Sequence, residues 1–258
     1  MQAVLHDYEV MGTVFRFTFD KSQVELVLGA LPQAKAIIEE ADQRFSAYKP
    51  NSEVSRIQSG DLAVGDASYD TREIWKQCHN WQNRTEGGFQ ATTPEGKWDP
   101  SGIVKGWAAQ SAVNYLAAAG LANFSLNAGG DVLLSESVDP ALGRVGISAP
   151  VSIAISGFKP ELIIDLTSSI YRAVATSGIA ERGEHIWGWS QSIIQATVVA
   201  ADLVTADVWA TAVVSKGIDL IPTLSELGIP VMIWFADGSS FANEAFEQLS
   251  VNKLKMGA

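Results

Sequence analysis

The sequence predicts a single α+β domain over residues 1–258, in which mixed or antiparallel sheets pack against helices without a Rossmann unit. Three observations point there. Short runs that nearly alternate apolar and polar residues occur beside longer stretches with a 3.6-residue period. The strand-like runs gather between residues 123 and 199, with helical stretches before and after them, whereas a βαβ chain would alternate the two regularly. No repeat, low-complexity tract or linker divides the 258 residues, a length that fits one large domain with a self-sufficient core.

Along the chain, residues 14–19 alternate and are rich in β-branched and aromatic side chains, which predicts a strand after the break at Gly12. Pro32 is expected to open a helix whose apolar positions, Ala36, Ile37, Ile38, Ala41 and Phe45, follow the helical period until Pro50 ends the segment in a polar loop. A second helix is expected from Asp70, with an acidic first turn and apolar Ile74, Trp75, Cys78 and Trp81, ending before Gly87-Gly88. Residues 103–119 predict an Ala-rich helix that starts after the Ser101-Gly102 turn and is closed by Gly120. Short runs at 132–134, 144–147, 152–155 and 193–199, separated by Gly, Pro and Asp, predict strands. Residues 203–215 and 222–227 then predict helices, and 231–235 a last strand.

Composition narrows the function classes. The chain is 47% hydrophobic and 18% charged, which marks a globular protein. A net charge of -11 excludes a large surface for nucleic acid or anionic membrane. Cys78 is the sole cysteine, so there is no intrachain disulfide and no cysteine cluster for zinc. The opening residues lack a basic and then apolar leader, and no uninterrupted apolar stretch is long enough for a membrane span, so a cytoplasmic location without stable membrane insertion is expected.

Three distant stretches carry chemistry. Asp207 and Thr211 are four apart in a helical run, which puts both on one face within reach of one cation; in isolation, a Thr bonded back to its own helix beside a solvated Asp is the commoner arrangement. The neighbours of Asp207 are apolar, and a carboxylate among them needs a partner. Lys105 sits in the first turn of its helix, where the dipole disfavours a cation, so an anion is expected nearby, either a phosphate or Asp99. Asn127-Ala-Gly-Gly-Asp131 reads equally as a ligand-approaching glycine turn or a plain hairpin connection. His185, in a loop with Trp187 and Trp189, suits a base or a substrate contact better than His6 or His79 does. Met11, Tyr48, Trp187 and Trp189 are apolar groups of the kind a flat aromatic ligand needs, or ordinary core. Neither a Gly-x-Ser-x-Gly elbow nor a Walker A or Gly-x-Gly-x-x-Gly segment is present.

In order, Met11-Gly-Thr13, the 45–56 loop Phe-Ser-Ala-Tyr-Lys-Pro-Asn-Ser-Glu-Val-Ser-Arg, the 99–106 segment ending Lys105-Gly106, the 126–131 segment, Ala173-Val-Ala-Thr-Ser-Gly178 and the 206–212 segment resemble the blocks of the ApbE family of FAD:protein FMN transferases. The resemblance runs from residue 11 to about 217. It implies that family's α+β fold, FAD as substrate or bound ligand, Mg²⁺, and an acceptor flavoprotein bearing a Ser or Thr flavinylation site. It also implies transfer of FMN to that hydroxyl with release of AMP. By position, Met11 and Tyr48 would flank the flavin, and Thr13, Lys105, Gly129, Gly130 and Ser177 would help hold the dinucleotide. Asp207 and Thr211 would ligate magnesium with a backbone carbonyl from the Gly102 turn, and His185 would act as the base. The chain departs from the family where no acidic residue follows His185-Ile-Trp, and where Gln90-Ala stands in place of Asp-Pro. Those departures keep two alternatives open: a FAD pyrophosphate hydrolase and a non-catalytic FAD-binding protein for flavin storage or delivery.

Overall fold

The computed structural model describes residues 2–150, 161–178 and 192–251. Eight strands form one sheet in the order β1 (Ala3–Val10), β2 (Thr13–Asp20), β3 (Phe124–Ala128), β4 (Asp131–Leu134), β7 (Ala173–Gly178), β8 (Ile193–Ala200), β9 (Val231–Phe235) and β10 (Ser240–Ala242). Every described pairing is antiparallel. A separate two-stranded ribbon pairs β5 (Arg144–Ser148) with β6 (Glu161–Asp165). The α+β class is therefore as expected, and the sheets are antiparallel.

Alternation along each strand divides the interior into two cores. Phe15, Phe17 and Phe19 of β2, Phe124 and Leu126 of β3, Ala173 and Ala175 of β7, and Val231 and Ile233 of β9 face the main core. On that side lie α1 (Val24–Phe45), α3 (Tyr69–Arg84), α4 (Ser101–Ala118) and α6 (Leu203–Lys216), which contribute buried residues such as Ile38, Ile74, Ile103 and Trp209. The intervening residues Val174, Val199, Met232 and Trp234 face the other way, against Val145, Ile147, Leu162 and Ile164 of the ribbon and Phe246 of α8 (Glu244–Leu249). A register shift between Ile193 and Gln195 lets both Ile193 and Ala196 reach the helix side.

Several elements differ from the sequence expectation. The first long helix begins at Val24, so Pro32 lies inside it and not at its start. Its ring deprives the helix of one bond to the carbonyl of Leu28, a residue 63% exposed, where water can serve that carbonyl. The Ala-rich helix begins at Ser101, with the Ser101 amide bonded to Asp99 Oδ1 at 3.0 Å, so Gly102 is in its first turn and not before it. Strand β1, the short helix α2 (Glu53–Ser59) and the terminal β10 and α8 were not expected. The strand expected at 152–155 lies outside the described residues.

Two glycines set the spacing of the helix layer. A methyl group at Gly106 of α4 would stand 3.3 Å from the Val204 amide nitrogen, so the two helices touch backbone to backbone there. One at Gly88 would stand 3.1 Å from Ala212 of α6. Gly106→Val is expected to force α4 and α6 apart and to destabilise the protein by about 1–3 kcal/mol. Denaturant midpoints check this, and an unchanged midpoint would show that the helices have room to spare.

Candidate functional site

The sheet's antiparallel order brings several turns to one end. Met11 and Gly12 join β1 to β2, and Gly129 and Gly130 join β3 to β4; all four have positive φ, as a tight two-residue hairpin requires. Because β2 pairs with β3, the turns are neighbours, and the Gly129 amide donates to the Val14 carbonyl at 3.1 Å. A side chain at Gly129 would collide with that of Thr13. Strand β7 runs toward the same end and finishes at Ser177 and Gly178.

Strand periodicity then selects the side chains that face the helices. Asp131 shares its face with Leu133, and Ser177 shares its face with Ala175, both main-core residues. Opposite them α4 carries Lys105, and α6 carries Asp207 and Thr211 one turn apart. Helix α6 is started by Asp202, whose side chain accepts from the Thr205 amide at 2.8 Å, and the Gln110 side chain of α4 accepts from the Leu203 amide at 3.3 Å. Lys216 at its far end donates to the Glu86 carbonyl at 3.0 Å. The Gly88-Phe89 segment fits between the two helices, with Phe89 buried against Gly102 and Gly88 against Ala212.

The Lys105 ammonium makes a close ion pair with Asp131 Oδ2 and lies 3.4 Å from Asp207 Oδ2. Both carboxylates are nearly inaccessible, at 1% exposure for Asp131 and 6% for Asp207. The other oxygen of Asp131 accepts from the Thr176 amide at 3.0 Å. On α6, Thr211 Oγ1 lies 3.1 Å from Ser177 Oγ. Among the described residues, the carboxylates beside Lys105 are Asp131 and Asp207; Asp99, the protein partner suggested by sequence, instead accepts the Ser101 amide at the start of the helix.

Lys105, Asp207, Thr211, Ser177, Thr13, Gly129 and Gly130 therefore converge on one end of the sheet, with Gly102 close by on α4. Met11 sits in the adjoining turn and packs against the main core. Tyr48 is 88% exposed on the loop after α1, with its amide bonded to Ser46 Oγ at 3.2 Å. His185, Trp187 and Trp189 lie outside the described residues. No role of its own was read for Asp131; a lone Asp opening an apolar strand was the signal available.

Glu53 organises the loop that carries Tyr48. Its carboxylate accepts from Ser68 Oγ at 2.8 Å and from Thr71 Oγ1, which ties α2 to the start of α3. Burial would raise its pKa, but the hydrogen bonds from Thr71 and Ser68, with help from Arg44, hold it below the usual carboxylate range. A depressed pKa stabilises the fold fully above the unfolded-state value and loses that contribution as pH falls through the folded one. Glu53→Gln is therefore expected to flatten the fall in unfolding free energy below about pH 4.3; superimposable pH profiles for variant and parent would refute the assignment.

Asp207, Thr211 and Ser177 offer oxygen donors, the kind that suits a hard cation such as magnesium. Among the described residues, no three His, Cys, Asp or Glu side chains form a metal cage. A cation here would complete its shell with substrate or water oxygens, which is how magnesium is usually held. No helix among the described residues is long and apolar enough to cross a membrane.

Residues 11–95 and 91–233 match the ApbE family profile. No curated protein matches the chain. Solved structures with a similar fold include a flavin transferase ApbE from Vibrio cholerae, at 20% identity and TM-score 0.77, covering 96% of this chain and 99% of that one. The apo flavinyl transferase ApbE from Pseudomonas stutzeri is 18% identical with TM-score 0.77, covering 96% of each chain. An ApbE protein from Thermotoga maritima is 18% identical with TM-score 0.75, covering 97% of this chain and 100% of that one.

Proposed function

The chain belongs to the ApbE family, and we propose that it is a magnesium-dependent FAD:protein FMN transferase. In this reaction a Ser or Thr hydroxyl of an acceptor flavoprotein attacks the FMN-side phosphorus of FAD. A phosphoester bond forms, the pyrophosphate bond breaks, AMP leaves, and the hydroxyl proton passes to a base. The observation that carries this reading is the meeting of Lys105, Asp207 and Thr211 with the Gly129-Gly130 turn at one end of the sheet.

Phosphoryl transfer asks a protein mainly for placement and charge neutralisation. Asp207 and Thr211 would hold magnesium, with a backbone oxygen from Gly102 in the first turn of α4. Bound there, the cation would polarise phosphate oxygens and offset their charge. Lys105 adds a point charge at the pyrophosphate. The bare backbone of Gly129 and Gly130 admits the dinucleotide closely, with Thr13 and Ser177 as hydroxyl contacts. Met11 and Tyr48 flank the flavin, and the exposure of Tyr48 leaves its ring free to cover a flat ligand. His185 takes the hydroxyl proton.

Incubation with FAD and Mg²⁺, with and without an acceptor bearing a Ser/Thr flavinylation motif, tests the assignment. AMP together with an acceptor mass gain of one FMN less one water is expected; AMP with free FMN would instead make the protein a hydrolase, and intact bound FAD a flavin binder. Asp207→Asn removes a metal ligand whose charge stabilisation is worth several kcal/mol, so turnover should fall roughly 100-fold or more. Turnover indifferent to both this change and EDTA would remove the metal from the mechanism. His185→Ala is expected to slow transfer while FAD stays bound, as followed by flavin absorbance; release of FAD would make His185 a binding residue.

A further inference from the structure

A Ser or Thr hydroxyl on a helix commonly donates to the carbonyl one turn back. Two in this chain do so: Thr85, at the end of α3, donates to the Trp81 carbonyl at 2.7 Å, and Ser111 of α4 to the Trp107 carbonyl at 2.8 Å. Thr211 of α6 is bonded across to the sheet, with its Oγ1 3.1 Å from Ser177 Oγ. The Ser177 side of this contact is rigid. Ser177 pairs with Ala196 of β8, and the amide of the preceding Thr176 is held by Asp131 Oδ1 at 3.0 Å. Strand geometry therefore fixes the direction in which the Ser177 side chain leaves the sheet.

Each of the two hydroxyls has one hydrogen to give and lone pairs to receive one, so the bond between them can run either way. A cation on Thr211 would remove that choice. An oxygen that gives a lone pair to a metal must send its hydrogen elsewhere, and Ser177 Oγ is the acceptor already in place. We propose that Ser177 is a positioning residue: it accepts the Thr211 hydroxyl hydrogen, draws that side chain away from its own helix, and leaves the lone pairs of Thr211 Oγ1 to the cation. Without Ser177, the hydrogen would turn to the Asp207 carbonyl one turn back, as those of Thr85 and Ser111 do, and the lone pairs would turn with it. The proposal rests on the magnesium assignment made above.

Mn²⁺ binding to the full chain without FAD, followed by electron paramagnetic resonance of the free ion, tests this independently of turnover. Ser177→Ala removes the acceptor and is expected to weaken binding roughly tenfold, the scale for losing a group that orients a ligand. Ser177→Thr keeps an oxygen at the same place in the strand and is expected to stay within about twofold of the parent. Thr211→Val is expected to weaken binding by itself, and adding Ser177→Ala to it should then cost less than about twofold, because the hydroxyl that Ser177 orients is gone. Equal losses from Ser177→Ala in the two backgrounds, or no loss in either, would overturn the proposal. Should Ser177→Ala fail to fold, as thermal unfolding would show, Ser177→Cys takes its place, since its sulfur is a weak acceptor. Unchanged binding in Thr211→Val would remove Thr211 from the metal site and overturn the proposal while leaving the cation in place. A parent that binds no Mn²⁺ would overturn the magnesium assignment, and this proposal with it.

Discussion

The buried charge cluster of Lys105, Asp131 and Asp207 is the constraint around which the helix side of the molecule is arranged. Two carboxylates at 1% and 6% exposure are costly to bury, and the Lys105 ammonium lies against both. That requirement fixes how near α4 and α6 must come to the end of the sheet. Gly106, the residue after Lys105, is where α4 comes close to the backbone of α6, so the helix spacing and the charge spacing are set at adjacent residues. The Gly88-Phe89 wedge and the Lys216 contact to Glu86 hold the remainder of α6 in the same position.

The sheet supplies the other half of the arrangement through simple alternation. Its helix face is aromatic along β2 and β3, and along the inward rows of β2, β4 and β7 it turns polar at one end, at Thr13, Asp131 and Ser177. A one-residue slip in β4 or β7 would send Asp131 or Ser177 to the ribbon side and leave Lys105 or Thr211 without its partner. The double-glycine turn pins the register of β4, because its positive φ values allow no longer path between β3 and β4.

Much of this was legible in the sequence where a period was long and clean. Helix α6 and strand β9 are runs with few polar interruptions, and their observed bounds agree with the expected ones to within a residue. Edge strand β1 was missed because its inward row is Val4, His6, Tyr8 and Val10, two of them polar enough to hide the alternation. Pro32 misled because a proline is usually a helix boundary, yet here it falls where water can meet the carbonyl it displaces. At the site, the need of Asp207 for a partner could be read from its apolar neighbours. Which cation answers it could not, since Lys105 arrives from a different helix and is shared with a residue from a strand; pairing through space leaves no spacing signature.

The net charge of the cluster bears on what it is suited to hold. Among the described residues, two carboxylates and one ammonium leave one negative charge, too little for a tight cation cage and too much for a free anion to enter unaided. A divalent cation beside Asp207 would change the balance from minus one to plus one, and the pocket would then favour a pyrophosphate where it had repelled one. Cation and dinucleotide would accordingly bind better together than either alone, with the neutral backbone of Gly129 and Gly130 adding close contact at no charge cost. A cluster with a second lysine would bind phosphate without metal, and one lacking Lys105 would bind metal without discriminating for phosphate. The described residues lie between these, a balance that suits the proposed pairing of cation and dinucleotide.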